Sequence, residues 1–360
     1  MTQRERFNAI FSGKPYDRLP VYFFGMWDET HERWLKEGYS GQVEGLDADW
    51  EAGMWDCHGL ANTYPRFFGE NKLLEETDDY CIMEHADGSV VRYSKGGSTV
   101  NHTIKHVLKP TREAWEQFKP HINLNDDWRN PPGWEEKAAE FAKRERVATF
   151  LGGSFYGWLR GWMGVEELSC LMYDDPGLLE EMVSYIVDFC IAIYGPVAKK
   201  ADFDFVYIFE DCCGSYGPLF SPTIYREIFD KHYKRLIRFY KEECKIPFVL
   251  IDSDGLADDL IPCWVESGFD IIFPIEVGKW QASPNKLREK FGEQLGMFGG
   301  VDKHLIEVGG ETLRTHLESL LPAVRHGKYL PIPDHRIPPS VSYEQFLAYI
   351  KMFNEVFNGK

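Results

Sequence analysis

What most constrains this chain is a set of short apolar runs, each ending in an acidic residue or a histidine. Residues 205–209 (Phe-Val-Tyr-Ile-Phe) run into Glu210 and Asp211, and residues 247–251 (Pro-Phe-Val-Leu-Ile) into Asp252, Ser253 and Asp254. Residues 271–275 lead to Glu276, 296–301 to Asp302, and 329–333 to Asp334, His335 and Arg336. Unbroken apolar runs of this length are expected of parallel strands buried on both faces. In a β/α barrel the chemistry is built from side chains at the C-terminal strand ends. The runs therefore predict a barrel whose mouth is acidic and carries a histidine.

Between the runs the spacing turns helical, as over 222–241 and 343–357, which predicts alternating strands and helices. Residues 18–25 and 147–151 predict two more strands, Thr30 to Leu35 a helix, and an eighth strand is placed between 45 and 60, near Asp56, Cys57 and His58. From about 72 to 110 the polarity alternates around Asp87-Gly88, a hairpin signal. The fold class is α/β: a (β/α)8 TIM-type barrel, one domain over 1–360, with an N-terminal antiparallel hairpin insertion.

Composition narrows the partners. A formal charge of −17 argues against nucleic acid and anionic membranes, both of which need a basic face. No apolar stretch reads as a membrane span of roughly 18 residues, and the start has no signal-peptide core, so the protein is expected to be cytoplasmic. Eight cysteines without a CxxC pair suit a reducing compartment.

The opening from Arg4 to Val21, the run Gly152-Gly-Ser-Phe-Tyr-Gly-Trp-Leu-Arg-Gly161 ahead of Asp175-Pro176, and the strand ends of the C-terminal half resemble the uroporphyrinogen decarboxylase superfamily. That superfamily also holds the zinc-dependent methyltransferases that work with corrinoid proteins. The resemblance implies a β/α barrel with its pocket at the C-terminal mouth. Family members that decarboxylate uroporphyrinogen carry an arginine-rich loop after the first strand, where this chain has Met26, Trp27, Asp28 and Glu29. Acids there would repel an eight-fold carboxylate, so the resemblance points away from that substrate.

Methyltransferases of methanogens that methylate coenzyme M show His-x-Cys after the strand matching 247–251 and a further Cys after the last strand. Here Asp252-x-Asp254 and Asp334-His335 stand at those positions. Carboxylate and imidazole ligands leave zinc harder and suited to oxygen. The resemblance thus implies a methyl-donor enzyme like the ether-cleaving O-demethylases, moving methyl from a methoxylated aromatic to cobalamin on a partner corrinoid protein. Zinc or an acid would activate the leaving oxygen. The alternative is a metal-free lyase or decarboxylase acting on a smaller acid. A homodimer is compatible with either.

Expected site residues are His335, Glu210 and Asp252 for catalysis, and Asp252, Asp254, His335 and Glu210 for the metal. Trp27, Phe155, Tyr156 and His58 are expected to hold substrate. Each has a plainer reading: Asp252 or Asp254 as a helix cap, Asp302 likewise, Glu210 as a partner of Arg160, His335 as a loop tie, and the aromatics as core. Glu276 is a further mouth carboxylate.

Overall fold

The computed structural model describes residues 1–49, 60–95, 101–278 and 280–360. Each apolar run becomes a strand. β1 (Tyr22–Phe23) and β2 (Ala48–Asp49) pair in parallel. A separate antiparallel sheet follows, made of β3 (Lys72–Glu76), β4 (Tyr80–Glu84), β5 (Val90–Ser94) and β6 (His102–Lys105). Then come β7 (Thr149–Leu151), β8 (Phe205–Phe209), the small hairpin β9 (Cys213–Gly214) and β10 (Gly217–Pro218), β11 (Phe248–Asp252), β12 (Ile271–Phe273), β13 (Gly296–Val301) and β14 (Tyr329–Pro333). In the order β7-β8-β11-β12-β13-β14 six of these form one parallel sheet, each strand beside its sequence neighbour.

The two parallel sheets meet at the mouth. Met26 bridges Ile337 in parallel, Ile337 N–H donates to the Gly25 carbonyl (3.1 Å), and Trp27 N–H donates to the Ile337 carbonyl (3.3 Å). This sets the first strand beside the last, as barrel order requires. Among the described residues no ladder joins β2 to β7.

Helix Gln3–Phe11 closes the opposite end. Phe7 stacks on Phe205 (5.1 Å between ring centres), and Phe11 lies edge-on to Phe298, so the starts of the strands are plugged with aromatic rings. Arg4 is anchored there: its Nε meets Asp204 at 2.7 Å, and Asp204 also takes Arg144 Nη2 at 2.8 Å. These buried contacts account for much of the opening motif.

Two expectations need correction. The insertion is a four-stranded sheet, with the Asp87-Gly88 turn joining only β4 to β5 (Gly88 φ 82°). Helix Pro176–Ala201 is long and apolar enough to cross a membrane, contrary to the reading of the sequence, yet 61% of its apolar window is buried inside the fold. A helix with apolar residues all round is one a large core encloses. β2 falls at the start of the 45–60 interval, but Asp56, Cys57 and His58 lie outside the described residues.

Candidate functional site

Alternation along the parallel strands decides what reaches the cavity. In β8, Tyr207 and Phe209 share one face, and Val206, Ile208 and Glu210 share the other. In β11, Leu250 and Asp252 share a face, and Asp252 sits in register with Phe209. Tyr207, Phe209 and Asp252 line a cavity of about 450 Å³ at the C-terminal ends of the strands. Phe24, Trp27, Leu151, Asp254, His335 and Arg336 complete its wall.

Asp252 is buried (2% exposed) and accepts a hydrogen bond from the Tyr207 hydroxyl. Burial, reinforced by the nearby charges of Asp254 and Glu276, pushes its carboxyl well above the ordinary aspartate range. Burial and the neighbouring acids thus favour the protonated form, against the Tyr207 hydroxyl, whose hydrogen bond favours the charged one. Asp254, two residues on, reaches the rim, where its Oδ2 lies 3.4 Å from His335 Nε2. The His335 ring stacks beside Trp27 (6.0 Å) and stands edge-on to Phe24 (5.6 Å). Arg336 lies over Trp27 at 5.2 Å. Neither aspartate caps a helix, since the next one, Ile261–Ser267, begins six residues beyond Gly255.

Glu210, expected to be both catalytic and a metal ligand, has a different task. One carboxylate oxygen accepts the N–H of Phe155 (2.7 Å) and the other that of Gly157 (3.0 Å), so it satisfies the first turn of helix Tyr156–Met163. A carboxylate at a helix N-terminus meets unpaired donors and the positive end of the dipole. Burial pushes its pKa up to about 6, opposed by Tyr233 and by these backbone donors. Gly157 is required there: a Cβ would come within 2.5 Å of Ser154 Oγ and 2.9 Å of the Phe209 carbonyl. Arg160 pairs not with Glu210 but with Asp211, at 2.6 Å.

Phe155 and Tyr156, expected to hold substrate, are core residues. Phe155 packs on Tyr233 (4.4 Å) and Tyr156 on Phe220 (5.1 Å), both buried. Of the expected substrate residues, Trp27 lines the cavity, and His58 lies outside the described residues. Asp302 caps helix Lys303–Val308. Buried Asp334 accepts the N–H groups of Val277 (3.0 Å) and Lys303 (3.2 Å), and Glu276 that of Gly255 (2.8 Å). The Lys303 ammonium lies between these two carboxylates. Tyr207 and Phe209 were missed; the alternation in β8 that turns Glu210 away is the signal that would have found them.

The zinc set does not assemble. With Glu210 committed to the helix, the described residues gather no three His, Cys, Asp or Glu side chains around a point that could hold an ion. A zinc site needs at least three protein donors near roughly 2.1 Å. What the cavity offers is a buried carboxyl with a raised pKa at depth, an aromatic wall, and an imidazole–carboxylate pair at the rim.

No curated protein matches this sequence. The structure is similar to that of a methyltransferase from Methanosarcina mazei, with a TM-score of 0.58 at 12% identity over 99% of each chain. The uroporphyrinogen decarboxylase (URO-D) family model matches residues 148–356, more than half of the chain and all the strands from β7 to β14. This protein therefore belongs to the uroporphyrinogen decarboxylase family.

Proposed function

We propose that this protein is a methyltransferase that moves the methyl group of a small methoxylated aromatic donor to the reduced cobalt of a corrinoid protein. The observation that carries the reading is a buried Asp252, held by the Tyr207 hydroxyl, inside an aromatic-walled cavity of about 450 Å³. Fold likeness to a methyltransferase over nearly all of both chains supports it. The acids Asp28 and Glu29 in the first turn of helix Asp28–Lys36 disfavour a polyanion at this mouth.

An aryl-ether oxygen leaves badly as a phenoxide and well as a phenol. In the proposed step the ether C–O bond breaks with its electron pair left on oxygen, and oxygen takes the Asp252 proton. The methyl carbon bonds to cobalt through the two electrons of the reduced metal. Asp252 is left ionised and regains its proton from solvent. Tyr207 orients the carboxyl, and Phe24, Trp27 and Phe209 hold the ring so that the methyl group points out of the mouth. No step is assigned to zinc, because the described donors do not fit it.

The test is turnover of a panel of methoxyarenes with cobalt(I) cobalamin, followed by loss of the cobalt(I) absorbance and release of the phenol. Asp252→Asn should lower the rate by about 10²–10⁴-fold, the range a positioned general acid supplies. No conversion of any methylated donor would end this reading. The same Asp252, when protonated, would serve to protonate a carbanion, so carbon dioxide release without methyl transfer would select the lyase alternative.

A further inference from the structure

Four strand ends of the mouth converge on one ammonium group. Lys303 opens the helix after β13, and its side chain, 17% exposed, brings Nζ to 3.5 Å from Asp334 Oδ1 and 3.7 Å from Glu276 Oε1. Both carboxylates are buried, and both accept backbone N–H groups from neighbouring loops. Glu276, after β12, takes that of Gly255 (2.8 Å), the residue next to Asp254 in the loop after β11. Asp334, after β14, takes those of Val277 (3.0 Å) and of Lys303 itself (3.2 Å), and it directly precedes His335. The two halves of the rim pair, Asp254 and His335, thus hang on the two acids that share Lys303.

We propose that Lys303 is a positioning residue: by neutralising Glu276 and Asp334 together, it fixes the two loops that set Asp254 3.4 Å from His335. Two buried carboxylates that share a neighbour repel, and both stay ionised only beside a cation. Burial and the charge of Asp254 push the Glu276 carboxyl above its ordinary range, opposed by the Gly255 N–H and by Lys303. A neutral Glu276 would be a weaker acceptor for Gly255, and the loop carrying Asp254 would lose its anchor. The ammonium lies beyond the usual hydrogen-bond range of both acids, so it acts as a charge more than as a tether. It is not among the residues that line the cavity, and any effect on chemistry passes through the rim pair. The consequence for turnover rests on the methyltransferase reading; the consequence for the pair does not.

The His335 ring reports the pair directly. Its Cε1–H and Nε2 signals, assigned by their absence from His335→Ala, are followed by NMR of the full chain, beside melting temperature and turnover of a methoxyarene with cobalt(I) cobalamin. Lys303→Met leaves Glu276 and Asp334 without their cation and should shift the His335 signals. It should lower kcat by about 10²-fold, the effect of a small misplacement, with KM kept within about twofold by the intact aromatic wall. Adding Glu276→Gln to Lys303→Met removes one negative charge and keeps an oxygen for the Gly255 N–H. That double variant should recover the wild-type ring signals and bring kcat back to within about fivefold, the coupling expected of neighbours. A folded Lys303→Met with unshifted ring signals, or with shifted signals and wild-type kcat, overturns the proposal. So does a double variant as impaired as the single one, in ring signals or, should Lys303→Met fail to fold, in folding itself. A wild type that turns over no methoxyarene, with ring signals that respond as expected, would strike the methyltransferase reading and leave the positioning role standing.

Discussion

Two buried carboxyls at neighbouring strand ends do opposite work, and their hydrogen-bond partners decide which. Glu210 receives two backbone N–H groups and behaves as a cap, whereas Asp252 has no backbone donor among the described residues, and its pKa is raised by burial and by two further acids beside it, Asp254 and Glu276. Replacing Glu210 with glutamine would turn an amide NH₂ toward an N–H donor. Glu210→Gln should therefore cost about 1–3 kcal/mol of stability, the penalty of a buried unsatisfied group, while turnover per folded molecule is kept. Thermal melting beside activity checks this, and a selective loss of turnover would return Glu210 to the chemistry. The sign of its pH dependence is also set. With a folded pKa of about 6 against an ordinary 4.5, folding takes up a proton at Glu210. Its stabilising effect is fully present below pH 4.5 and is lost as the pH rises to about 6, a slope that Glu210→Gln should remove. Asp252 leans the same way, so activity should fall as the pH climbs through its raised pKa, and Asp252→Asn should flatten that limb. At the rim, His335→Ala should cut turnover by about 10²-fold or more with little change in melting temperature. Parallel loss of both would make the ring a structural tie.

At the scale of elements, the position of each strand end was legible and its direction was only half legible. Apolar runs mark a buried parallel strand, but a run with apolar residues on both faces does not say which face looks inward. Glu210 and Asp252 both end such runs, and one residue of alternation separates a helix cap from a cavity acid. Phe155 and Tyr156 were misplaced for a related reason: the Gly152–Gly161 motif serves the tight entry of helix Tyr156–Met163 rather than the cavity wall. The loop carrying Asp252 and Asp254 is held by the hairpin after β8. Gly255 lies at φ 87°, and a Cβ there would meet the Gly214 carbonyl at 2.8 Å and that of Cys213 at 2.9 Å. Gly255→Ala should destabilise the fold by about 1–3 kcal/mol, the usual cost of a strained backbone position, and should weaken turnover by moving Asp254 away from His335. Unchanged melting and kinetics would show that the loop yields freely.

For the whole molecule, the barrel order leaves one open end and one closed end. Aromatic rings from helix Gln3–Phe11 plug the starts of the strands, and the cavity opens at the mouth, where Asp254 and His335 stand. On the proposed reading, a cobalamin acceptor would meet the methyl group at this mouth. The choice between acid and metal also belongs at this scale, because it depends on what several strands bring together. With Asp252 as the acid, dialysis against a chelator should leave turnover within about twofold, since the described residues gather no ligand shell. A loss that zinc restores would place Asp252 and Asp254 on an ion instead.

By itself the sequence determined that the chain alternates parallel strands with helices, that chemistry gathers at the strand ends, and that the mouth is acidic with His335 beside it. Those features are local, since burial of apolar runs and the residues that follow them are written in consecutive positions. Only the tertiary structure decided that Glu210 caps a helix, that Tyr207 orients Asp252, that Pro176–Ala201 is a core helix, and that β3–β6 stand clear of the core. Each of these depends on which segments distant in sequence come together: Phe155 and Gly157 at Glu210, Tyr207 beside Asp252 across two strands. Hydrogen-bond partners and desolvation are set by that assembly and leave no periodicity in the chain.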